Sequence, residues 1–234
     1  MPSNLDKVNL KIVSCIRCDR LVRYCQEIST TKKRMYINDD YWGKPVPSLG
    51  DHGAEVLIIG LAPAAHGANR TGRMFTGDMS GAWLFRTLNK YGFSNSPDSF
   101  NKNDGLMLKN VYISSIIHCA PPNNKPFQKE VDMCLDFLVE EMKLLKNVKV
   151  VVALGKFAFD GYYKALKLSG YSYNSGQTKP RFGHGARYET PDGKLLISSF
   201  HPSRQNTQTG RLTREMFDSI FDIVTTKIDG PSKV

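Results

Sequence analysis

An α/β fold in a single domain, with a central, mostly parallel four-stranded sheet flanked by helices, is what the sequence predicts. Three observations predict it. Short apolar runs of strand length, at 56–59, 111–117, 148–154 and 195–200, are separated by longer segments of helical pattern. Strands that alternate with helices pair in parallel, and the helices cover both faces of the sheet. The chain has 234 residues, 41% of them hydrophobic and 23% charged, which suits one folded domain with a full core. No internal repeat, low-complexity tract or linker interrupts the pattern, so one domain over 1–234 is expected.

Taken in order, the first residues, Met1-Pro2-Ser3-Asn4-Leu5-Asp6-Lys7, lack the apolar core of a signal peptide. No run approaches the roughly 18 apolar residues of a membrane span. An intracellular protein, not secreted and with no membrane partner, is expected. Cys15 and Cys18 form a Cys-x2-Cys at the start of a helix over 17–28, and 36–53, rich in Gly, Pro and aromatic residues, reads as a loop. The strand 56–59 runs into a long stretch of glycine and small residues, 60–81, before a helix that begins Ala82-Trp83-Leu84. Connections of this kind are usually ~2–6 residues long, and the carboxyl end of a parallel strand is where open α/β sheets place ligands. The stretch therefore reads as a site. After the polar connection 94–104, the strand 111–117 leads through Cys119 and Pro121-Pro122-Asn123-Asn124 to a helix over 128–145. Strand 148–154 ends at Gly155, which opens a helix over 156–168; a polar connection, 169–181, follows. Strand 195–200 then delivers His201-Pro202-Ser203-Arg204-Gln205-Asn206-Thr207-Gln208-Thr209-Gly210-Arg211-Leu212-Thr213, and a helix over 213–226 closes the chain.

A net charge of +10 points to a polyanionic partner. The five cysteines do not read as a disulfide framework in an intracellular chain. Cys15 and Cys18 grip from one tight turn, and a loop through 120–126 can fold Cys119 and Cys134 back beside each other. Four thiolates would then converge in a lobe formed by 10–30 and 118–136. They suit tetrahedral zinc or an iron–sulfur cluster, and spacing leaves both open. Cys25 reads as a small buried side chain.

The two long motifs, 60–81 and 201–213, each after a strand and in this order, closely resemble those of uracil-DNA glycosylases, in particular the family 5 (type B) enzymes. With the cysteines the resemblance covers 15–213. It implies a uracil-DNA glycosylase-like fold. The implied activity is monofunctional hydrolysis of the N-glycosidic bond of uracil in DNA, leaving an abasic site. It also implies a 4Fe-4S cluster on Cys15, Cys18, Cys119 and Cys134, since the same order of cysteines holds one in type A and type B enzymes.

The residues can be read against that chemistry. An enzyme that excises a base must extrude the nucleotide into a pocket. Phe75 offers a stacking face, as matched residues do in related glycosylases, and two glycines and several polar neighbours fit a core position less well. The backbone of Gly60, Leu61 and Ala62 can bond the base edge. His201, held at a strand end before Pro202, suits a donor to the charge that develops on the departing base; the resemblance assigns it to the base carbonyl. Uracil-restricted relatives carry Asp, Asn or Glu where this chain has Ala62, which cannot polarise water. That leaves Asp78, to which the family 5 resemblance also points, and Asn124. Asp78 equally suits a helix N-cap. Type A relatives also place a uracil-reading Asn where this chain has Ser115. A pocket lacking both side chains is expected to accept further deaminated bases, hypoxanthine and xanthine among them.

For the grip on DNA, Arg204, Gln205, Asn206, Thr209 and Arg211 follow His201, and Arg70 and Arg73 offer phosphate contacts from the first motif. No lysine stands out as a Schiff-base nucleophile, so strand cleavage is not expected. DNA containing uracil or other deaminated bases is the expected partner of a monomer. A non-catalytic nucleic-acid-binding module with a structural metal is the alternative that Ala62 keeps open. A redox protein lacks any flavin or nicotinamide fingerprint.

Overall fold

The computed structural model describes residues 2–172 and 180–230, so part of the 169–181 connection lies outside the described residues. Among the described residues, six strands form one sheet in the order β1-β3-β2-β4-β6-β5. Its centre is the parallel set expected from the apolar runs: β2 (Val56–Gly60), β3 (Val111–Ser115), β4 (Val150–Leu154) and β6 (Leu195–Ser199). The four-stranded expectation needs one correction. Two short antiparallel strands, β1 (Leu49–Gly50) on β3 and β5 (Arg187–Glu189) on β6, extend the sheet at its edges. Neither is an apolar run. Their backbones pair because the neighbouring strands present unpaired edges, and hydrophobic pattern carries no trace of that.

Each central strand feeds two cores, because successive side chains leave opposite faces. Leu57, Ile59, Tyr112, Val151, Ala153 and Leu196 face one helical layer. That layer contains α1 (Asn4–Val13), α2 (Asp19–Thr31), α5 (Gln128–Leu144) and α6 (Lys156–Leu168). Val56, Ile58, Val111, Ile113, Val152 and Ile197 face the other core, which α4 (Met79–Lys90) and α8 (Arg214–Asp229) cover. Helix α1 is an addition to the sequence reading. Its Ser3 and Asp6 form a capping box, and Leu5, Val8 and Ile12 make one buried stripe against α5.

One buried carboxylate joins these layers. Glu141 of α5 is fully buried and accepts hydrogen bonds from Ser114 Oγ at 2.5 Å and Tyr112 Oη at 3.3 Å. Burial pushes its carboxyl up to about 7, against the lowering effect of Ser114, Ser48 and Tyr112. A group whose pKa is raised on folding contributes stability that is full below its unfolded value and is lost as pH rises through its folded one. Glu141→Gln, neutral at every pH, is therefore expected to gain about 3 kcal/mol relative to the parent between pH ~4.5 and pH ~8. Urea unfolding of both proteins across that range checks it. A constant difference would mean that Glu141 titrates normally.

The order of the central strands places the site. From β2 the chain moves one way to β3, and from β4 the other way to β6. The loops leaving β2 and β4 therefore diverge, and a crevice opens at the carboxyl ends of the strands, the topological switch point of such sheets. Two short helices stand there within the motif loops, α3 (Ala68–Thr71) after β2 and α7 (Arg204–Gln208) after β6.

Candidate active site

A cleft of about 1030 Å³ opens at that crevice. Both motif loops line it, together with Ser115 at the end of β3 and Asn124 from the turn after Pro121. On its wall, the rings of Phe75 and His201 lie 6.2 Å apart between centroids and within 27° of parallel. Phe75 holds a left-handed backbone, φ 53°, and its ring passes so close to Gly60 that a Cβ there would lie 2.7 Å from Cζ. Gly60 therefore clears the space that Phe75 occupies. Neither ring nitrogen of His201 has a hydrogen-bond partner among the described residues. Its carbonyl accepts from Ser203 N–H at 2.7 Å and Asn206 Nδ2 at 2.9 Å, which fixes the loop behind the ring. Burial holds the imidazole below its ordinary pKa despite the opposing charge of Asp78, so at neutral pH His201 is an uncharged N–H donor.

Asp78 does both things its residue type allows. As N-cap of α4 its Oδ1 accepts the Gly81 N–H at 2.9 Å. Its other oxygen lies over Gly67, where a Cβ would come within 2.6 Å of Oδ2, and the residue lines the cleft. Capping and a role in the cleft are thus compatible, one oxygen for each. The N–H groups of Ala62, Ala64, Ala65 and His66 make no hydrogen bond among the described residues, and all of these residues line the cleft. They are donors left unspent by the fold. Gly60 and Leu61 instead spend their carbonyls on Ile116 N–H at 3.0 Å and Ile117 N–H at 2.9 Å, which ties the loop to β3. Ser115 is similarly committed, its hydroxyl donating to the Ile117 carbonyl at 2.6 Å. Asn124 stands exposed at the cleft mouth in a left-handed conformation, φ 56°, beside Asn123, φ 55°.

The basic residues divide sharply. Arg204, Gln205, Thr209 and Arg211 are exposed; Arg204 and Gln205 line the cleft, and the Arg211 guanidinium lies 4.6 Å over the Phe200 ring. Asn206 holds the His201 carbonyl and is half-buried. The phosphate contacts expected of Arg70 and Arg73 need correction. Arg70 pairs with Asp39 at 2.7 Å, donates to the His66 carbonyl at 2.9 Å and stacks 4.0 Å over Tyr36. Arg73 is buried and forks onto Asp104 at 2.8 and 2.5 Å, with Ser99 at 2.6 Å. Burial of Asp104 opposes its charge, but Arg73 and the N–H groups of Leu106, Phe100 and Asn101 outweigh it and hold the carboxyl well below the usual range. These arginines shape the motif loop from inside. Arg73→Ala is expected to destabilise the fold by about 2 kcal/mol, because it removes the buried guanidinium's charged hydrogen bonds, while Asp104 keeps the N–H groups of Phe100, Asn101 and Leu106. Urea unfolding reads this, and a stable variant with weakened DNA binding would restore the phosphate role.

Sequence reasoning missed the His66–Tyr41 pair, whose ring nitrogen Nδ1 and hydroxyl lie 3.0 Å apart. His66 sits inside the first motif and lines the cleft, so its position was itself the signal. Lys33, Met35 and Tyr36 line the same cleft from the segment after α2; the cation run Lys32-Lys33-Arg34 was visible in the sequence.

Away from the cleft, Cys15, Cys18, Cys119 and Cys134 line one small cavity with Arg17, His118 and Phe137. Arg17 Nε donates to Cys15 Sγ at 3.5 Å, and its guanidinium lies 4.4 Å over the Phe137 ring. Burial pushes the Cys134 thiol up to about 12, with Cys18 and Cys15 adding to it. Among the described residues no three His, Cys, Asp or Glu side chains converge on a point that a single metal ion could occupy. Cys25 is fully buried behind the cavity, its thiol 3.8 Å from the Ala120 carbonyl.

A family model described as the uracil DNA glycosylase superfamily matches residues 47–225. A type-5 uracil-DNA glycosylase of Mycobacterium bovis is 45% identical over 216 residues, 92% of this chain and 78% of the relative. One from Thermus thermophilus is 45% identical over 206 residues, 88% of this chain and 90% of the relative. Another, from Pyrobaculum aerophilum, is 44% identical over 216 residues, 92% and 89% of the two chains.

Proposed function

The chain belongs to the uracil-DNA glycosylase superfamily and to its type-5 members, and on that premise we propose that it hydrolyses the N-glycosidic bond of uracil, hypoxanthine and xanthine in DNA, leaving an abasic site. The observation that carries this reading is the near-parallel pair of Phe75 and unpartnered His201 on the cleft wall, with Asp78 beside them. An extruded base stacks on Phe75 and takes hydrogen bonds from the free N–H groups at Ala62 and Ala64–His66. As the C1′–N bond breaks, its electron pair passes to the base, and the His201 N–H stabilises the negative charge that collects there. The sugar becomes cation-like. The Asp78 carboxylate favours that charge and accepts the proton of the water that bonds to C1′. Asn124 at the mouth is a second group able to hold that water.

Breadth follows from what the pocket lacks. Ala62 offers no side-chain polar group, and the Ser115 hydroxyl is already bonded to Ile117, so base recognition falls to backbone donors. Backbone donors discriminate between bases less than a matched amide side chain does. Free-base release from duplexes carrying each of the three bases tests the reading. Release of all three is expected; release of uracil alone would overturn the breadth, and release of none would leave only the non-catalytic binding module.

The residues around the second cavity fit a four-iron cluster. Its four thiols line one cavity, and thiolates are the ligands such a cluster takes. Cys15, Cys18, Cys119 and Cys134 would hold it, and its bonds would cross-link the α1–α2 turn to the segment after β3 and to α5 itself. Anaerobically purified protein is expected to be brown with about four irons per chain, and Cys119→Ala to lose both colour and stability. Stoichiometric zinc without iron would contradict the cluster.

A further inference from the structure

We propose that the segment Lys32–Ile37 is a second DNA-binding arm, in which Lys33 and Arg34 hold backbone phosphates and Met35 enters the base stack beside the extruded nucleotide. The proposal rests on the glycosylase reading for the position of that nucleotide.

Four observations carry it. First, Lys33, Met35 and Tyr36 line the same cleft as Phe75 and His201, and the cleft is also lined by Arg204, Gln205 and Gln208 from the second motif. The cleft is thus bracketed by cations from two distant segments. Second, Lys32, Lys33 and Arg34 form no ion pair among the described residues, in contrast to Arg70 and Arg73. The Lys32 ammonium donates to the Ile37 carbonyl, at 3.3 Å, and to no carboxylate among the described residues. Free cations in a row beside a cleft suit a polyanion that tracks past it.

Third, the arm is anchored at its base. Its left-handed Lys32, φ 42°, turns the chain out of α2. Tyr36 lies under the Arg70 guanidinium, which Asp39 fixes from the other side, and Tyr41 reaches His66 of the first motif. The arm is therefore tied to the loop that carries Phe75. Fourth, Met35 is 66% exposed on this basic segment, and Ile37 is 57% exposed. Isolated exposed apolar side chains are ordinary, but Met35 combines exposure with a place in the cleft directly after the free cations Lys33 and Arg34. The opposite rim, Ser203 to Gly210, has no apolar side chain. Proteins that open a duplex commonly insert an apolar wedge, methionine among them, between base steps. Met79, at the start of α4, also lines the cleft but is less exposed, at 48%, and has no free cations beside it in sequence, so Met35 is the better placed of the two.

Single-turnover uracil release from a single strand and from an A:U duplex, with the salt dependence of duplex binding, tests the arm. In Met35→Ala the ratio of single-strand to duplex rate is expected to rise about tenfold, because the wedge matters only where a stack must be opened. In Lys33→Ala/Arg34→Ala the slope of log affinity against log salt is expected to become shallower by about 1–2. Thermal midpoints should stay within about 1 °C of the parent, since all three side chains are exposed. An unchanged ratio would overturn the wedge, and an unchanged slope would overturn the phosphate contacts. If the parent protein releases no base from either substrate, the glycosylase reading fails, and the slope still decides the arm by itself.

Discussion

His201→Ala is expected to slow single-turnover uracil release by ~10²–10³-fold, the usual cost of removing one preorganised donor from a developing anion. Binding to a uracil-containing duplex should be nearly unchanged, because the proposed role of the ring is toward the base and not toward the phosphates. The ring is well suited to this task. Burial keeps it uncharged, Phe75 fixes its plane, and Ser203 and Asn206 hold the backbone behind it. His201→Gln retains an N–H donor and is expected to recover part of the lost rate. A variant that loses DNA affinity in step with activity would show that the residue only shapes the loop.

The Asp78 series is the second large effect. Asp78→Ala removes the cap and the carboxylate together, costing about 1 kcal/mol of stability through α4 as well as activity. Asp78→Asn keeps an oxygen for the Gly81 N–H but loses the charge and the ability to take a proton. It is expected to fold with parental stability and to release uracil ~10²-fold more slowly. Comparing the two by urea unfolding and single-turnover kinetics separates the residue's two oxygens. Full activity in Asp78→Asn would make Asp78 a cap alone and leave Asn124 as the group that holds water.

Much of this was legible in the sequence for identifiable reasons. The four central strands are continuous apolar runs because they are buried on both faces, and the site loops stand out because they are too long and too rich in glycine for plain connections. The edge strands Leu49–Gly50 and Arg187–Glu189 were not legible, since their pairing depends on a neighbour's free edge rather than on their own side chains. Helix α1 was legible in Leu5, Val8 and Ile12, although its N-terminal residues had been read only for the absence of a signal peptide. Arg70 and Arg73 show the limit at the site. A basic residue in a motif loop looks the same in sequence whether it faces phosphate or a carboxylate from a distant loop, and Asp39 and Asp104 are 31 positions away from their partners. The same blindness hid Lys33 and Met35, whose place in the cleft arises from the fold.

One cleft wall, Phe75 and His201 with Asp78 beside them, is proposed to receive an extruded base. A crystal structure with a duplex carrying a non-hydrolysable deoxyuridine analogue tests it directly. The uracil is expected to stack on Phe75, with a carbonyl oxygen ~2.7–3.1 Å from a His201 ring nitrogen and Asp78 facing C1′. A base left in the duplex, or seated in the cleft away from His201, would contradict it.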